Sequence, residues 1–254
     1  MLLYRAWLET RWRFVVGLPL LICTAVVIVL TWPKVQQLLP LAAALDMGGE
    51  IGHRIHDAVE VQRTYRGFIW SEVFSKNLTN MVTLFAVLLG IGSLLSPASR
   101  SASFTLSLPA TRNRIVAIRA ATGLAELLAL AFLPSVTVIL VSPSVGESYS
   151  LPDALIHGLC LFAAATVFFG LAFLLSSIFT DFWRPLVITI AIAMGIGTVE
   201  VLAGGRMDYG IFHTMSGETW FRSGEFPWLG IIGCLAITGG LLWSAALNTA
   251  RRDF

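Results

Sequence analysis

Six runs of mostly apolar residues punctuate the chain, at about Phe14–Thr31, Leu78–Leu95, Ile115–Val141, Ala154–Phe179, Pro185–Gly204 and Trp228–Leu247. A helix needs about 20 such residues to cross the hydrocarbon layer of a bilayer. Charge is too scarce for a water-facing surface: 13% of the 254 residues are charged and 56% are hydrophobic, with mean hydropathy +0.80. A soluble domain carries roughly 25% charged residues. The expectation is one all-α transmembrane domain over residues 1–254, a polytopic bundle of six transmembrane helices. The first run is read as a span and not as a cleavable signal, because Trp32-Pro33 follows it and no small-residue cleavage site does.

The segments between the runs differ in sign. Arg5, Arg11 and Arg13 precede the first run, and Arg100, Arg112, Arg114 and Arg119 join the second to the third. Arg184 stands against Asp181 between the fourth and fifth, and Arg251-Arg252-Asp253 follow the sixth. The alternate set is balanced or acidic: residues 33–77 mix both signs, Glu147 and Asp153 stand alone, and Arg206 and Arg222 face Asp208, Glu218 and Glu225. Basic segments stay in the cytoplasm, so both termini are expected there.

Residues 1–13 place Leu3, Tyr4, Trp7, Leu8 and Trp12 near one side of a helix, with Arg5, Glu9 and Arg13 at four-residue spacing on another. This pattern suits an amphipathic interfacial helix in the headgroup layer, or a simple extension of the first span. Residues 33–77 form the longest outer segment and bury too little surface to fold alone. The aromatic-rich outer segment 205–227 is expected to dip back against the membrane.

No Gly-x-x-x-x-Gly-Lys-Ser/Thr phosphate cradle occurs, so the chain holds no P-loop ATP site. His157, His213 and Ser216 read as interfacial polar residues rather than catalytic ones, and no catalytic set is assigned. His53, His56, Asp57 and Glu60 read as a solvated face, and no metal site is assigned. Cys23, Cys160 and Cys234 lie inside runs without metal-ligand spacing. Glu126 falls about 11 residues into the third run, roughly 16 Å along its axis and so near mid-bilayer. A lipid-facing carboxylate there costs about 2.5–3.5 kcal/mol, so Glu126 is expected to line a pathway or join an interhelical hydrogen bond. Glu200, near the outer end of the fifth run, can snorkel to water.

The most informative stretch is Ser96–Arg119. Phe104, Leu106 and Leu108 precede Pro109, then Arg112 and Arg114 lead into the third run. Proline stops a short helix after Leu108, and Thr111 can cap the next. Apolar groups on a solvent-side connector imply a covering partner. The order Leu106-Ser107-Leu108-Pro109-Ala110-Thr111-Arg112-Asn113-Arg114 resembles the connector of the permease subunits of bacterial type-2 ATP-binding-cassette exporters. So does Leu175-Ser176-Ser177-Ile178-Phe179 at the end of the fourth run. Pro97, Ala98, Ser99 and Arg100 stand where that family often has a Glu-Arg pair. The resemblance implies a six-span type-2 exporter fold in the bacterial inner membrane, working as a dimer of permease copies with a cytoplasmic ATPase. Residues 97–114 become the coupling segment, with Arg100, Phe104, Leu106, Leu108, Pro109, Arg112 and Arg114 as contacts. ATP and Mg would sit on the partner ATPase, with no cofactor on this chain and no nucleic acid as partner. The rival class is an ATP-independent secondary transporter or channel.

Overall fold

The structure, a computed structural model, describes residues 2–43, 59–92, 112–179, 181–203 and 210–251. Every regular element among them is helical. The long helices are α1 (Leu2–Ala43), α2 (Tyr65–Gly90), α3 (Arg112–Val141), α4 (Leu151–Ile178) and α5 (Trp183–Leu202). Two short helices follow, α6 (Ile211–Ser216) and α7 (Glu218–Ser223), then the long α8 (Trp228–Arg251). The six long helices are each apolar enough to cross a membrane, as fits a multi-pass membrane protein.

α4 is the axis of the bundle and packs against α2, α3, α6 and α8. Its Ala163, Ala164, Ala165 and Ala172 keep it slim, while Phe168 and Phe169 fill the space between neighbours. α5 and α8 instead turn large apolar side chains outward, among them Val187, Val199, Leu229 and Trp243. Lipid or another helix is the only environment in which such faces lower the free energy.

Three elements differ from the sequence expectation. Residues 2–13 are not a separate interfacial helix but the first three turns of α1, whose Ala6 and Thr10 are buried. Pro33 does not end the first span: α1 runs on to Ala43. A proline inside a helix removes one backbone bond and bends the ladder without having to stop it. Nor does the second span begin at Leu78. α2 starts at Tyr65, capped by the Thr64 hydroxyl on Gly67 N–H at 3.1 Å. Its Ile69–Leu78 portion is π-helical.

That π stretch carries Glu72 and Lys76, which mask it in a hydropathy reading. The two charges pair with each other at 2.5 Å, and Gln62 also donates to Glu72, at 2.8 Å. Asn77 donates to the Glu72 carbonyl and Thr79 to the Phe74 carbonyl, each five residues back at 2.7 Å. Those are the carbonyl positions a π turn presents.

Candidate functional site

Of the sequence-predicted coupling residues, Arg100, Phe104, Leu106, Leu108 and Pro109 lie outside the described residues. Arg112 opens α3 and Arg114 is exposed in its first turn. The structure describes how this connector is rooted. α2 ends at Gly90, where its last carbonyls lack partners of their own. Arg13 of α1 donates from Nη1 to the carbonyls of Leu88 and Ile91, and Arg119 of α3 donates to the carbonyl of Gly90 at 3.4 Å. Arg119 also lies across Gly92, where an added Cβ would fall 1.8 Å from Nη2, and over the Phe173 ring at 5.0 Å. Two guanidiniums at a helix C-terminus also complement its dipole. The connector therefore leaves the bundle from a point fixed to α1 and α3 at once.

Glu126 sits near this grip. Thr10 donates to its Oε1 at 2.7 Å, and Oε2 has no partner among the described residues. Thr10 lies about 12 Å along α1 from its start, and Glu126 stands halfway along α3. A hydrogen bond of this kind between helices in a membrane contributes about 0.6 kcal/mol on average. The interhelical alternative is the one the geometry fills.

At the opposite end, α6 and α7 form a hairpin that packs against the bundle through side chains. Asp153 of α4 is the hub: Arg66 reaches it with two nitrogens, at 3.0 and 3.1 Å, and Trp220 Nε1 donates at 2.8 Å. Trp70 stacks on Phe221 with ring centroids 4.3 Å apart and donates to the Ser216 carbonyl at 3.0 Å. Gly217, at φ +65°, makes the turn between the short helices and packs on the buried His157 ring. A Cβ there would lie 2.9 Å from His157 Cδ2, so the turn needs glycine for both space and handedness.

Glu200 is engaged within the bundle. Its carboxylate accepts the backbone N–H groups of Phe212 (3.0 and 3.2 Å) and His213 (3.0 Å), capping α6 from a different helix. Gly210 allows this approach, since a Cβ there would fall 2.5 Å from Glu200 Cδ. Replacing an N-cap acceptor costs about 1 kcal/mol. Glu200→Gln, which keeps one acceptor, is expected to lower stability by less than Glu200→Ala, both within about 2 kcal/mol in denaturant titrations.

Between α2, α5 and this hairpin lies a cavity of about 590 Å³. Its polar wall includes Ser75, Thr79 and Thr83 of α2 with His213 and Glu218 of the hairpin, and its apolar wall includes Leu84, Ile190 and Met194. The His213 ring bonds Glu218 through Nδ1 at 3.2 Å and Thr219 through Nε2 at 3.2 Å. That bond to His213, with Arg222 at 2.6 Å, holds the Glu218 carboxyl down at about 2, although burial pushes the other way. Ser216 donates to the His213 carbonyl rather than to its ring, so the two make no nucleophile–base pair. Among the described residues no group of three His, Cys, Asp or Glu is placed to hold a metal ion. His53, His56 and Asp57 lie outside them, and Glu60 is exposed.

Sequence reasoning singled out Glu200 but missed the cavity beside it. The readable signal is the hydroxyl stripe Ser75, Thr79, Thr83 at four-residue spacing, one face of a helix that is otherwise apolar over its second half. No family model, no curated protein and no solved structure matches the chain. Fold and composition define it as an all-helical chain of multi-pass membrane type.

Proposed function

We propose that the chain is the permease subunit of an ATP-driven exporter of the type-2 ATP-binding-cassette kind. In this reading it sits in a bacterial inner membrane with both termini and the connector in the cytoplasm. Two copies form the path, and a separate ATPase docks on residues 97–114. The observation that carries the reading is the rooting of that connector. A push on it reaches α1 through Arg13 and α3 through Arg119, and it acts directly on α2. α2 is the helix whose hydroxyl face lines the cavity. The helix that leads into the connector thus also walls the cavity, from Ser75 to Val87.

Purification of the tagged chain from native membranes is expected to bring down an ATPase. Reconstituted with it, Phe104→Asp with Leu108→Asp is expected to reduce stimulated hydrolysis at least tenfold while the unfolding midpoint stays unchanged. Copurification of no ATPase, or transport that persists in vesicles depleted of ATP, would favour the secondary-transporter class instead.

A further inference from the structure

We propose that the cavity between α2 and α5 binds an amphipathic organic cation bearing N–H donors, of which a primary alkylammonium is the simplest. Calling this ligand the cargo rests on the permease reading; the binding itself stands on the cavity.

Three hydroxyls of the polar wall have spent their protons. Thr79 donates to the Phe74 carbonyl at 2.7 Å, Thr83 to the Thr79 carbonyl at 2.7 Å and Ser216 to the His213 carbonyl at 2.9 Å. A hydroxyl has one proton and two lone pairs, so each of these presents only acceptor capacity to the space it lines. Glu200 and Glu218 add carboxylates, and a carboxylate offers about four lone-pair sites. Both ring nitrogens of His213 are engaged by Glu218 and Thr219. Asn80 gives one amide proton to the Lys76 carbonyl at 2.7 Å, which turns half of its donor capacity away. Among the described residues of this wall, no lysine or arginine appears.

Such a wall selects by charge and by donor count. A carboxylate or phosphate head would bring acceptors to acceptors and a like charge to Glu200, whereas Glu218 is already paired with Arg222 and His213. An ammonium has three donors and no acceptor, which is the complement of what the wall offers. The Phe212 ring also borders the cavity, and an aromatic face attracts a cation. Leu84, Val87, Ile190 and Met194 give a hydrocarbon body its surface. The volume lies within the roughly 300–1,000 Å³ typical of small-molecule sites.

The test is equilibrium binding of radiolabelled dodecylammonium, dodecanoate and dodecyltrimethylammonium to the full chain in nanodiscs, with empty nanodiscs as the partition control. Saturable dodecylammonium binding is expected, at least tenfold tighter than dodecanoate and tighter than the quaternary analogue, which has no N–H donor. Thr79→Val with Thr83→Val keeps side-chain shape and removes two acceptors; it is expected to weaken dodecylammonium about tenfold at an unchanged unfolding midpoint. If that double variant unfolds, Gly197→Leu serves instead, because an added Cβ there lies 3.4 Å from the Phe212 ring and the side chain enters the cavity. Gly197→Leu is expected to abolish saturation. Equal affinity for dodecanoate, indifference to both variants, or saturable uptake of phospholipid alone would overturn the assignment. Ammonium binding without any ATPase partner would sink the permease reading and leave the site. An ATPase partner without ammonium binding would do the reverse.

Discussion

Gly90→Leu is expected to destabilise the bundle by about 3 kcal/mol, at the upper end of overpacking penalties, and to do so through backbone. α2 meets α4 at this residue so closely that a Cβ would fall 2.5 Å from the Phe169 carbonyl oxygen, 2.8 Å from Ala172 Cβ and 3.2 Å from Phe173 N. None of these is the tip of a flexible side chain. α4 is the most buried of the long helices, so neither partner can yield without opening the core. Even Gly90→Ala is expected to cost about 1–2 kcal/mol, although alanine is the better helix former. Gly195→Leu is the matched control: nothing lies within 4 Å of a Cβ at 195, and relief of the glycine penalty predicts a gain of up to about 1 kcal/mol. Unfolding midpoints in one detergent, read by tryptophan fluorescence, separate the two. Equal midpoints for the two leucine variants would mean that α2 and α4 are not in backbone contact.

The contrast between Gly90 and Gly195 shows what the sequence leaves open. Both sit in apolar runs and both permit close approach. Only the three-dimensional arrangement says that one is used inside the chain while the other faces outward. Most of the fold was legible for a simple reason: lipid demands long apolar helices, and length and composition report them directly. Legibility failed where polar groups are satisfied locally. Glu72 and Lys76 read as a water-facing segment, yet they neutralise each other one turn apart on a helix that continues into the second span. Glu200 reads as a snorkelling charge because its partners, two backbone N–H groups of α6, carry no sequence signature. Pro33 reads as an end because proline marks only the loss of a donor and not whether packing carries the helix through it. The cavity needed three elements from distant parts of the chain, α2, α5 and the hairpin, and the sequence pattern shows only the α2 part.

The hairpin and the connector stand at opposite ends of α2, and the two ends are held by different chemistry. Asp153, Arg66 and Trp220 fix the hairpin through a charged hub, while the Trp70–Phe221 stack adds an apolar one. The π-helical turns lie between them, and Ser75 within those turns lines the cavity. A π segment gives up the i→i+4 ladder that makes an α-helix stiff.

Arg13→Met combined with Arg119→Met tests the other end. Methionine keeps much of the apolar stem and removes every donor and the charge. The carbonyls of Leu88, Gly90 and Ile91 would then lose their side-chain partners in a region where water does not replace them freely. An unsatisfied buried polar group costs about 1–3 kcal/mol, so the double variant is expected to lose about 3 kcal/mol or more and each single variant about half of that. Arg114→Met, exposed in the first turn of the same α3, is expected to stay within about 0.5 kcal/mol of the parent. Arg13 also acts electrostatically on Glu126 and Glu9, which makes a second consequence predictable. With Arg13 gone, Glu126 is a buried carboxylate with one hydrogen bond and no compensating charge nearby in α1. Glu126→Gln should then recover part of the loss, whereas alone in the parent it should gain nothing. A double-mutant cycle on unfolding midpoints gives that coupling directly. If the four corners are additive, Arg13 serves only the carbonyls of α2. A positive coupling means that one arginine ties the end of α2 and the buried acid of α3 into a single unit; on the permease reading proposed above, its removal is then expected to abolish stimulated ATP hydrolysis at temperatures where the bundle is still folded.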